Sequence, residues 1–130
     1  MDARTTLAAD PASAGLARGF LRARLVEWDA WHLEESATLL VSELVTNAVL
    51  HARSETMLSL IYDDGVLRVE VADSSLVGVQ RRRYAYDAAT GRGLLLVEAL
   101  STAWGTIATE EGKAVWFELD SDAVPVGVLG

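Results

Sequence analysis

The segment TMLSLIYDDGVLRVEVAD, residues 56–73, limits the architecture of this chain more than any other. Two apolar-rich runs, 56–62 and 66–72, flank Asp63-Asp64-Gly65, the composition of a tight turn between antiparallel strands. The same pattern returns in WGTIATEEGKAVWFELD, where 110–112 supplies the turn of a second hairpin. Parallel α/β folds separate their strands with helices. A chain that delivers strands in adjacent pairs builds an antiparallel or mixed sheet instead.

The remaining regular segments read as helices. Asp10-Pro11 predicts a helix start, with Asp at the cap and Pro in the first turn. Leu16, Phe20, Leu21, Leu25 and Trp28 recur at helical spacing and carry that helix to about residue 28. A second helix opens near 33–35, with acidic residues in its first turn, and runs to about Ala52. Residues 5–7 could add an edge strand, and GRGLLLVEALST restarts a helix after two glycines. The order is helix, helix, hairpin, loop, helix, hairpin. That order gives an α+β fold, a two-layer α/β sandwich whose mixed, mostly antiparallel sheet carries helices on one face. A single domain is expected over 1–120, followed by a loosely held tail at 121–130.

Within the second helix, VSELVTNAVLHA places Glu43, Asn47 and His51 four residues apart among Val, Leu and Ala. Four residues advance a helix by one turn plus about 40°, so the three form a slowly drifting stripe. Leu39 and Leu50 flank it on one side, Leu40, Leu44 and Ala48 on the other, which sets the stripe inside the apolar face. Buried polar groups need partners. They face either neighbouring strands and loops, or a ligand.

Composition narrows the partners. The formal charge is −8, and phosphate-backbone recognition needs a basic footprint, so duplex DNA and anionic membranes are poor fits. An acidic protein can still take a nucleotide when backbone amides and a metal ion meet the phosphates. The absence of cysteine excludes disulfides, thiolate zinc sites and cysteine nucleophiles. With neither a signal-peptide core nor a membrane-length apolar run, a cytoplasmic location is expected.

Three further features could carry chemistry. Asp73 ends the strand LRVEVAD, where its carboxylate can accept from an exocyclic amine or from the amides of an Asp-Ser-Ser turn. Gly91 and Gly93 in TGRGLLLVEAL allow close backbone approach, and the amides of the helix start that follows suit an anion. Arg81-Arg82-Arg83 is a basic island that could lean on phosphates or lie solvated. Neither the P-loop nor the dinucleotide fingerprint is present: Ile107 stands at the first P-loop glycine and Leu96 at the third fingerprint glycine.

Taken in order, these motifs resemble those of the Bergerat-fold (GHKL) ATPases, the superfamily of DNA gyrase and the histidine kinases. ELVTNAVLH is similar to the N-box, VEVADSS to the first glycine box and TGRGLLLVEAL to the second. The short helical start and the ending GKAVWFEL resemble the small stand-alone anti-sigma-factor serine kinases, especially of actinobacterial type. The first box departs from the family pattern, since Asp73-Ser74-Ser75-Leu76-Val77 lacks both of its glycines.

The resemblance implies ATP and Mg²⁺ as cofactors. It implies that Glu43 is the catalytic base, that Asn47 holds the metal, and that Asp73 accepts the adenine amine. By the same likeness Gly91, Arg92, Gly93 and Leu94 face the phosphates, residues 76–90 form a lid, and His51 has a structural role at the helix end. The implied activity is a serine/threonine-protein kinase that is also an anti-sigma factor, or else an ATP-dependent binding module without significant kinase activity. The implied partners are a sigma factor and an anti-sigma-factor antagonist, with no direct nucleic acid or membrane contact, and the implied assembly is a homodimer.

Overall fold

The computed structural model describes residues 1–52, 55–73, 97–108 and 112–122. The elements run β1 (Asp2–Leu7), α1 (Ser13–Glu27), a 3₁₀ turn (Trp31–Leu33), α2 (Glu34–Ala52), β2 (Thr56–Asp63), β3 (Val66–Asp73), β4 (Ala103–Ala108) and β5 (Lys113–Asp120). Residues 97–100 are also helical. The strands form one sheet in the order β1-β2-β3-β5-β4, and all four pairings are antiparallel. The expected α+β sandwich stands, without a parallel pair among the described strands.

The first hairpin forms as the sequence requires. Asp64 and Gly65 both take positive φ, 51° and 78°, which matches the twist of the flanking strands. The turn fixes the register, so that Thr56 lies opposite Asp73 and Leu60 opposite Val69. The edge strand is longer than 5–7 and spans all of Asp2–Leu7 against β2.

Helix α1 begins later than Asp10-Pro11 suggests. Asp10 does act on the chain ahead, its carboxylate accepting from the Ala12 amide at 2.8 Å, but this closes a turn before the helix. The helix proper starts at Ser13, behind Ala12, which has no side-chain cap bond. At the far end, the Ala30 amide donates to Leu25 O at 2.8 Å and the Asp29 amide to Val26 O at 3.2 Å. This is a Schellman closure with Asp29 in the left-handed position, at φ 56°.

One face of the sheet packs against the helices. Leu58 and Leu60 of β2, Leu67, Val69 and Val71 of β3, and Val115, Phe117 and Leu119 of β5 are buried with Leu21, Leu25, Leu40, Val41, Leu44 and Val45. Val97 and Leu100 join the same cluster, which docks the short helix onto the core. Of the expected core positions on α1, Leu16 is displaced: it is 63 % exposed, while Ala17 is fully buried in its place. Ala17, Leu21 and Leu25 keep a strict four-residue step, and Leu16 falls off that line. The opposite face of the sheet carries Arg68, whose guanidinium lies 4.1 Å from the Trp116 ring centre and bridges Glu70 (2.9 Å) and Glu118 (3.1 Å). Burial works against the Arg68 charge, but the two carboxylates outweigh it and raise its pKa.

Candidate functional site

Helix α2 lies over β3, and its buried arc decides what its polar residues meet. Leu40, Leu44 and Ala48 are buried as expected, but Leu39 and Leu50 are 42 % and 58 % exposed. The stripe is therefore not enclosed by the apolar face; it crosses the rim of that face. Glu43 sits on the rim and is half-buried, while Asn47, one turn and about 40° further on, is inside at 4 % exposure. His51 is the next position on that drift, and its side chain lies outside the described residues, as do 74–96. The Gly91, Arg92, Gly93 and Leu94 turn, the 76–90 segment and Arg81-Arg82-Arg83 all fall in that stretch.

Beneath this end of α2, the sheet ends in a polar row. Residues directly opposite in an antiparallel pair point to the same face. Thr56, Asp73 and Lys113 are opposite one another on β2, β3 and β5, in line with the buried face. Their exposures are 0 %, 8 % and 3 %. Only residues 53–55 separate Ala52 of α2 from Thr56, which places Asn47 and the row at the same end of the molecule. Both β3 and β5 meet that end at segments of interest: β3 leads into the first box, and β5 begins after the second hairpin turn.

Two polar atoms here are buried without a hydrogen-bond partner among the described residues, Asn47 Nδ2 and Thr56 Oγ1. Asp73 and Lys113 are engaged. A third atom of this kind, Arg24 Nε, lies on α1, where its guanidinium rests 5.3 Å from the Phe20 ring centre. An unpaired buried amide costs about 1–3 kcal/mol, which a fold has no reason to carry unless something else pairs it.

The donor set suits a nucleotide held with a hard cation. A buried primary amide can present its oxygen to Mg²⁺, which needs few protein ligands when phosphates and water complete its shell. Among the described residues no cluster of three or more His, Asp or Glu could cage a metal unaided. The Asp73 carboxylate, held near the row's centre, can accept from an amino group. Glu43 enters none of the ion pairs among the described residues, leaving its carboxylate available at the rim.

Sequence reading missed two members of this row. Thr56 was legible in principle: a two-residue turn at Asp64-Gly65 pairs 56 with 73 by counting outward. Lys113 was not, because nothing in the second hairpin states which strand β5 adds to.

The five-stranded antiparallel sheet is backed by helices, and α2 with its polar stripe lies over β3, the strand that ends in Asp73. The family model for the histidine kinase-like ATPase domain matches residues 7–119, and the chain belongs to that family. No curated protein matches the chain significantly. Membership of this family implies ATP as the ligand class. Among the described residues no helix is long and apolar enough to cross a membrane.

Proposed function

We propose that this protein is an ATP-binding anti-sigma regulatory factor with serine/threonine-protein kinase activity toward an anti-sigma-factor antagonist. The observation that carries the reading is the buried Asn47 amide, unpaired among the described residues, at the same end of the fold as Asp73. Asp73 accepts the adenine amine. Asn47 presents its amide oxygen to Mg²⁺, which neutralises charge on the triphosphate when bound. The reading assigns phosphate binding to Gly91, Arg92, Gly93 and Leu94, which lie outside the described residues.

Glu43 takes the proton of the attacking serine hydroxyl. Its place on the rim supports that role, since a base acting on another protein has to be reachable from outside. Phosphoryl transfer asks mainly for positioning and charge neutralisation, and one carboxylate beside a metal-bound triphosphate supplies the rest. The partners in this reading are a sigma factor and its antagonist, the assembly a homodimer, and the location the cytoplasm.

The test is Glu43→Ala, assayed with γ-labelled ATP and the candidate antagonist. ATP binding should survive while labelled phosphoserine falls by at least about 100-fold, the usual scale for a lost general base. Equal transfer by the variant would remove Glu43 from the mechanism. Binding without transfer in the unaltered protein would leave an ATP-dependent binding module.

A further inference from the structure

Thr56 is fully buried in an interior strand, directly opposite Asp73 on the face toward the helices. Its neighbours along that face, Leu58 and Leu60, are apolar and fully buried, and so is Leu7 opposite it on β1 at 5 %. Valine would satisfy the same β-branched strand preference and fill nearly the same space. A hydroxyl there with no partner among the described residues is a liability that the fold itself does not explain. Asn47 Nδ2 is a second buried group of this end without a hydrogen-bond partner among the described residues.

We infer that the Thr56 hydroxyl is a specificity-determining group for the nucleobase, working beside Asp73. This rests on the ATP reading above and assigns it a residue that none of the three sequence boxes contains. Side chains directly opposite on such strands have Cβ atoms about 4.5–5.5 Å apart, so one planar heterocycle can span both. If the Asp73 carboxylate accepts from an exocyclic amine, a hydroxyl at that spacing donates to the adjacent ring nitrogen, directly or through one bridging water. That pair of complementary bonds fits a 6-aminopurine. A 6-oxopurine presents an oxygen to the carboxylate and a ring N–H to the hydroxyl, and it loses the first bond outright.

The experiment is calorimetric titration of the whole protein with ATP and with ITP, comparing unaltered protein, Thr56→Val, Thr56→Ser and Asp73→Asn. Thermal melting of each ligand-free variant accompanies it. Thr56→Val should weaken ATP binding by about 5–20-fold, the range of one hydrogen bond. It should also melt at the same temperature or higher, because an unpaired hydroxyl has been removed. Thr56→Ser should keep most of the affinity, and Thr56→Val should narrow the preference for ATP over ITP. ATP binding by Thr56→Val equal to that of the unaltered protein, with Asp73→Asn still weakened, would overturn this inference and leave the ATP site standing. A lower melting temperature with unchanged affinity would assign the hydroxyl a structural role and overturn it equally. No ATP binding by the unaltered protein would overturn both.

Discussion

The two ends of the sheet are built on opposite terms. At the Asp64-Gly65 end, hydrogen bonds within the protein tie the turn to the neighbouring strand end. Ser121 donates its hydroxyl to Gly65 O at 2.7 Å and its amide to the same oxygen at 2.8 Å, and His32 Nε2 meets the Ser121 oxygen at 2.8 Å. Thr102 closes the corner beside it, donating to Glu118 O at 2.9 Å and accepting from the Asp120 amide at 2.8 Å. Between the ends, the helix-facing rows are wholly apolar, from Leu58, Val71 and Val115 to Leu60, Val69 and Phe117. The last row then turns polar, with Thr56, Asp73 and Lys113 under the Asn47 end of α2. One end is finished by the chain alone. The other holds two buried polar atoms, Asn47 Nδ2 and Thr56 Oγ1, without a hydrogen-bond partner among the described residues, and on the proposed reading that difference separates stability from function.

The comparison can be broken most forcefully in the apolar rows. Phe117→Ala should cost about 3–5 kcal/mol, read from urea denaturation, because a fully buried aromatic leaves a cavity. A cost below 1 kcal/mol would mean that the rows are not the core. At the finished end, Gly65→Ala should cost about 1–2 kcal/mol, since its φ of 78° belongs to the left-handed region that side chains resist. ATP affinity should be untouched in that variant.

Asn47→Leu sharpens the contrast from the other side. Stability should stay within about 1 kcal/mol of the original or rise, because an unpaired amide has been exchanged for an apolar group, while Mg-dependent ATP binding is lost. A loss above 2 kcal/mol would make the amide structural and erase the distinction between the ends. The smallest effect belongs to the outer face, where Arg68→Gln should cost about 1 kcal/mol through its stacking on Trp116 and its two ion pairs. A raised folded-state pKa gives stability that is full below the unfolded value and lost only above the folded one. The cost should therefore be equal between about pH 6 and 9.

Local signals carried most of the fold. The Asp64-Gly65 turn dictated its hairpin and register without help from the rest of the chain, and the apolar spacing of α1 and α2 placed both helices to within a few residues. What sequence could not state was which side of a helix the sheet would take. Leu39, Leu50 and Leu16 look like core residues by periodicity, yet they lie outside an arc set by how α1 and α2 meet and cover β3. That is tertiary information. The site divides along the same line: Glu43, Asn47 and Asp73 belong to local motifs, whereas Thr56 and Lys113 join only when strands distant in sequence are laid side by side.

Titration of the purified protein with ATP by calorimetry, with and without Mg²⁺, tests the central claim most directly. Asp73→Asn and Asn47→Ala serve as the controls. Saturable, metal-dependent binding that weakens in both variants is the predicted result. No binding at millimolar ATP would contradict it, and the glycine-free first box at Asp73-Ser74-Ser75 would then mark a domain that binds protein alone.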